Sequence, residues 1–288
     1  MTPQPLLCEE SPSIDERWEL LDGENMPETH LHRDRSELLA SVLAESAAQR
    51  SALVVRNLAL RWDPSHPKVG VDPDVALIEP APPEGKDVRS VLTWTPGHVA
   101  PRVAVEIVST TDPRKDYVIA PTKYAACGVR ELWIFDPNLD GPKEGGGPYV
   151  LQIWRMVGRG NTRAFRRVYA GGGPGFSREM AAWLVFLGGH LRLAEDRAGA
   201  KLWPTEAETA HAQAKADRKR AKADRKRAKA ADARAEAESA LANTERERAN
   251  TERERAEAAD ARADTADARA EAALRRIAEL EAALSLKP

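Results

Sequence analysis

Apolar and polar positions alternate most informatively between Arg102 and Ser109. There Val103, Val105 and Ile107 share one face of a predicted strand, and Arg102, Ala104, Glu106 and Val108 share the other. The first face reads as core and the second as the floor of a cleft with one carboxylate, Glu106, in its middle. Other short apolar runs predict strands over Leu53–Val55, 74–78 and Glu131–Phe135, the last apolar on both faces. Two more, 149–156 and 163–169, are separated by a Gly-containing turn and predict a hairpin. Helical spacing appears where Leu38, Leu39, Val42 and Leu43 follow Asp34 and Glu37, a capping-box pattern that predicts an amphipathic helix over 35–50. Pro121 and Gly128 bracket a short predicted helix over 121–127.

The segments between these elements are turn-like. Residues 17–24 close in an Asp-Gly turn, and residues 80–101, rich in Pro and charge, predict a surface loop. The glycines at 145–147 and 171–175 predict flexible loops rather than phosphate cradles, because neither cluster joins a strand to a helix.

Composition changes sharply near residue 205. All seven Trp precede it, whereas residues 205–287 contain no Gly, Pro or aromatic residue and are dominated by Ala and charge. Thr205 and Glu208 form a capping box, and the residues that follow are strong helix formers. Residues 215–221 are repeated letter for letter at 222–228, and steps of seven from Ala214 land on Ala as far as Ala270, then on Ile277 and Leu284. A heptad phase of this kind favours a coiled coil. Ala makes a thin seam, however, and Asp217, Asp224, Glu245 and Glu252 sit at partner positions. Only Leu274, Ile277, Leu280 and Leu284 give it zipper-like content, so the expectation is a solvated helix whose distal end self-associates. The organisation expected is a globular domain over 14–194, a linker over 195–204 and a helix over 205–286.

The formal net charge of −2 conceals a basic tract. Between Lys215 and Lys229 nine Lys or Arg face only Asp217 and Asp224. Charge on all sides of the helix favours a solvated segment over a nucleic-acid stripe. Cys8 and Cys127 have neither disulfide-framework nor metal-site spacing. The N-terminus lacks the features of a secretory signal, and the longest wholly apolar run, 181–187, is too short to span a bilayer. A cytoplasmic protein without a membrane partner is expected.

A buried carboxylate needs a compensating cation or proton. For Glu106 that partner is either structural, an Arg such as Arg102, or functional. Asp74, at the start of its own strand and after Asp72 and Pro73, is a second acid that a hard divalent cation would accept, with the Ile107 carbonyl as a further oxygen.

The order of these pieces resembles the Uma-two family of restriction endonucleases, within the PD-(D/E)XK nuclease superfamily. The pieces are Pro-Asp before a strand, Val-Glu-Ile-Val-Ser at 105–109, a helix with Lys123-Tyr124 and Gly128-Val129, and then Glu131 to Pro137. Residues 17–24, together with His32 and Leu39, resemble the family's opening motif and first helix, so the likeness covers about 14–194. The resemblance implies an α/β fold with a restriction-endonuclease-like mixed sheet flanked by helices, followed here by the long C-terminal helix. It further implies a metal-dependent endonuclease acting on DNA, with Mg2+ or another divalent cation held by Asp74 and Glu106 and a lysine assisting the attacking water.

The superfamily's lysine position, two residues after the Glu, is Val108, and the family's, four before Tyr124, is Ala120. Lys123 is the substitute expected on one helical face, with Lys115 in the preceding loop as its competitor. His32 is expected at a helix start or on the surface, although the first helix can aim it at the cleft. Two alternatives follow from the missing lysine and from the tail. One is a nucleic-acid-binding module without catalysis, the other a coiled-coil assembly protein with a docking head.

Overall fold

A computed structural model describes residues 7–9, 18–20, 29–48, 50–158 and 164–285. Most of the opening segment at 17–24 and the hairpin turn at 159–163 therefore lie outside the described residues. The chain divides into two compact units, Met1–Ala212 and Gln213–Pro288.

The first unit is built on a seven-stranded mixed sheet. Its strands are β1 (Leu7–Glu9), β2 (Leu53–Val55), β4 (Val75–Ile78), β6 (Val103–Ile107), β7 (Glu131–Phe135), β8 (Leu151–Val157) and β9 (Ala164–Gly171), in the spatial order β1-β9-β8-β7-β6-β4-β2. Between β2 and β4 lies β3 (Leu60–Arg61), which pairs in parallel with β5 (Val91–Leu92), a strand formed inside the Pro-rich stretch predicted as loop. Val91 is fully buried, so that stretch is anchored to the core rather than free on the surface. β6 and β7 are parallel, and the helical crossover that such a pair requires is supplied by α2 (Ala120–Cys127) and the turns before it. All other neighbours in the main sheet are antiparallel, including the predicted β8–β9 hairpin.

Both faces of this sheet are covered. On one face, α1 (His30–Ala47) sends Leu39, Val42, Leu43 and Ala47 against Val75, Leu77, Val103, Val105, Ile107, Trp133 and Phe135. A three-stranded antiparallel sheet completes that layer: β10 (Gly175–Ser177), β11 (Ala182–Leu187) and β12 (His190–Ala194). The apolar run at 181–187 is thus β11, whose Leu184 packs into the same core. On the other face, α2 places Tyr124, Ala125 and Cys127 against Ala104, Leu132, Ile134, Trp154 and Phe165. The two-sided burial expected of β7 is realised, since every one of its residues is buried.

Three boundaries differ from expectation for local reasons. α1 starts at His30, five residues before the predicted start, because Thr29 rather than Asp34 caps it, its side chain accepting from the His32 N–H at 3.2 Å. The crossover is helical from Pro113. Asp112 accepts the Lys115 N–H at 3.2 Å and Pro113 supplies a preset φ at the first helical position, so this start is capped as well. Pro121 therefore lies inside the helix and not at its beginning. It has no N–H to give the fourth preceding carbonyl, and the turn ahead of it, Lys115–Ile119, opens to π geometry with the Ala120 N–H on the Lys115 carbonyl. At the other end Gly128 takes a left-handed conformation, φ 84°, and closes α2 as predicted.

The second unit consists of residues of α3 (Glu206–Ser285). Thr205 and Glu208 form the predicted capping box, with N–H to oxygen distances of 3.1 and 2.7 Å. Side chains from 210 to 281 are all exposed. Among the described residues, no helix is long and apolar enough to cross a membrane.

Candidate active site

The site is assembled at one end of the main sheet, where β4 begins and β6 finishes. Their antiparallel register pairs Val75 with Val105, and Asp74 and Glu106 are the next residues beyond that pair, Asp74 lying just ahead of the ladder. The two acids read separately from the sequence are therefore near neighbours, Asp74 bonding to the residue after Glu106 and its charge acting on Glu106.

Asp74 is held at both oxygens. Oδ2 accepts the Ile107 N–H at 2.6 Å, and Oδ1 lies 2.9 Å from Nε2 of His32, which reaches over from the first turn of α1. His32 thus both starts the helix and faces the site, where the sequence favoured a surface or helix-start position. Its side chain is 15% exposed and that of Asp74 14%.

Glu106 is deeper, with 2% of its surface exposed. Its face of β6 is not the floor of an open cleft, because Ala104 and Val108 pack under α2. The Tyr124 hydroxyl donates to Glu106 Oε1 at 2.6 Å. Arg102, the structural partner considered for Glu106, is committed elsewhere, to Glu79 at 2.7 Å and Glu179 at 2.8 Å. Burial drives the Glu106 pKa well above the usual carboxylate range. Lys115 opposes that rise, while the negative charges of Asp74 and Asp116 add to it.

The lysine nearest in effect to these acids is Lys115. Attraction to Glu106, then to Asp116, Asp72 and Asp74, raises its pKa against the cost of burial, so its ammonium is retained. Its side chain is nevertheless exposed over much of its surface and reachable from solvent. Residues 115 and 116 open the π turn that ends at Ala120, and both act on the charge of Glu106. Lys123, on the α-helical turn, points instead to the Gly70 carbonyl at 3.1 Å. Asp116, buried beside Lys115, accepts the Ser109 N–H at 3.2 Å, and burial pushes its carboxyl up to about 7.

The structure brings His32 to Asp74 and the charge of Lys115 to Glu106, where the sequence gives His32 a surface or helix-start position and Lys115 the place of a competitor to Lys123. A helix-start signal for Lys115 was present, since Asp112-Pro113 is a cap followed by Pro at the first helical position. No comparable local signal marks His32, whose role depends on the packing of α1 across the sheet.

Among the described residues, no three His, Cys, Asp or Glu side chains converge as a preformed metal cage. The donors present are two neighbouring carboxylates with lone pairs to spare, Glu106 buried and Asp74 partly exposed at the end of the sheet. That set suits a hard cation such as Mg2+, which keeps several waters and needs only one or two protein carboxylates.

The likeness drawn from the sequence is borne out by comparison. Residues 7–141 match the Uma2 family, described as "Putative restriction endonuclease", a stretch that contains Asp74, Glu106, Lys115 and Lys123. The matched stretch is a little under half of the chain and lies within the first unit, which is similar there to a family of restriction-endonuclease-like nucleases. A solved structure described as "a putative nuclease belonging to DUF820 from Anabaena variabilis ATCC 29413" is similar at 15% identity. It covers 56% of this chain and 81% of its own, with a TM-score of 0.34. No curated protein matches the chain.

Proposed function

We propose that this protein is a divalent-metal-dependent endonuclease that hydrolyses phosphodiester bonds in DNA, with Asp74 and Glu106 as the metal ligands and Lys115 as the assisting lysine. The observation that supports the reading is that Asp74 binds the N–H of the residue after Glu106, with Glu106, Asp74 and Lys115 each acting on the charge of the others. A divalent cation bound there supplies polarisation of the scissile phosphate and a lower pKa for the attacking water. Asp74, fixed by Ile107 and His32, presents its remaining lone pairs without reorganising. Tyr124 holds Glu106 by one oxygen and leaves the other. The Lys115 ammonium orients the water and offsets the negative charge that grows on the phosphate oxygens. The water oxygen forms the new bond to phosphorus, one bridging P–O bond breaks, and the leaving oxygen takes a proton.

The presence of Lys115 favours catalysis over a binding module without it, because the charge expected at 108 or 120 is supplied from a different turn. Lys123, engaged with Gly70, is the weaker candidate. The test is cleavage of supercoiled plasmid DNA in Mg2+. Asp74→Ala and Glu106→Ala are expected to abolish it, and Lys115→Ala to lower the rate by about 100-fold or more, as loss of a charge-stabilising donor does. Lys123→Ala is expected to cut nearly as fast as the wild type. Equal rates for wild type and Glu106→Ala would falsify the assignment.

The partner of α3 is, in this reading, a second copy of the chain. Leu274, Ile277 and Leu280 are exposed by 66%, 52% and 51% on an otherwise polar helix, and Ile277 and Leu280 stand three apart at seam positions of the heptad phase. Dimerisation would set two single sites on one duplex, as cutting both strands requires.

A further inference from the structure

We infer that His32 is a positioning residue for the Asp74 carboxylate, acting on metal binding through a hydrogen bond. The inference rests on the reading of Asp74 as a metal ligand. Asp74 lies just ahead of β4, outside the sheet ladder, so its side chain is not fixed by strand pairing alone. Two donors fix it from different layers: the Ile107 N–H in the sheet, on Oδ2, and His32 Nε2 from α1, on Oδ1. A carboxylate offers about four acceptor sites and no donor, so His32 must be the donor, and each oxygen keeps lone pairs for a cation.

His32 is itself held in place. Its backbone N–H is taken by Thr29 Oγ1, and the helix behind it is seated by Leu39, Val42 and Leu43, each buried. The orientation of a ligand in the sheet is thus set by the cap of a helix packed across it. Partners of this kind commonly change metal affinity by about 10–100-fold when removed.

The experiment is calorimetric titration of the full chain with Mg2+ alone, comparing wild type, Asp74→Ala, His32→Leu and His32→Gln, with a thermal melt of each. His32→Leu keeps the bulk and loses the donor, and His32→Gln keeps a donor. The expected result is a loss of about 10-fold or more in Mg2+ affinity for His32→Leu. His32→Gln should recover most of it, with both variants melting alike. Wild-type affinity in His32→Leu overturns the inference, and so does equal weakness in both variants, which assigns the effect to packing. If Asp74→Ala binds Mg2+ as the wild type does, it is the reading of Asp74 that fails.

Discussion

Asp116 carries a consequence that needs no substrate. Its carboxyl is pushed up to about 7 by burial, against the pull of Lys115 and the Ser109 N–H, whereas in the unfolded chain it titrates near about 4. Between those pH values the folded protein holds a proton that the unfolded chain has released. The stability this contributes is complete below about pH 4 and is lost as pH rises through about 7. Asp116→Asn cannot ionise, so it is expected to be more stable than the wild type at pH 8, by at most about 4 kcal/mol and with a higher melting temperature, and to lose that advantage near pH 4.5. Glu106 is raised for the same reason, so the slope of melting temperature against pH should shrink rather than vanish. An unchanged slope in Asp116→Asn contradicts the burial argument.

At the scale of elements, the helix that links β6 to β7 decides which lysine meets the carboxylates. Pro121→Ala restores the missing N–H and permits a regular α-turn to the Tyr117 carbonyl. Each residue of an α-helix turns by about 100°, so closing the π turn swings Lys115 and Asp116 away from Glu106. Plasmid cleavage by Pro121→Ala is expected to fall sharply while helix content by circular dichroism holds or rises, and wild-type cleavage would show that the π turn is incidental. The same element shows what was legible in the chain. Strands with an unambiguous period, such as Glu131–Phe135, and ends marked by a residue with one physical role, such as Gly128, were readable because the cause is local. Pro121 was read as a helix start because that is its common position, while the cap at Asp112 that makes it internal lies nine residues earlier. Glu106 is recognisable as an acid in an apolar strand and Asp74 as one at a strand start. That Asp74 bonds to the residue after Glu106 is a property of strand pairing, and that His32 touches Asp74 is a property of layer packing; neither is written in local spacing.

At the scale of the whole molecule, α3 is a helix about 120 Å long whose apolar content is concentrated at its far end. Replacing both Ile277 and Leu280 by Asp is expected to convert a dimer to a monomer in sedimentation equilibrium without altering the melting of the first unit. A wild-type monomer contradicts self-association. The basic tract at 215–229, exposed on all sides, is expected to leave the salt dependence of DNA binding unchanged when residues 205–288 are deleted. The central claim concerns the two acids, and its most direct test is a crystal of the protein soaked in Mn2+ and measured for anomalous scattering. The account predicts a single peak between the Asp74 and Glu106 carboxylates, about 2 Å from an oxygen of each. A map with no peak there, or with Mn2+ bound only elsewhere, contradicts it.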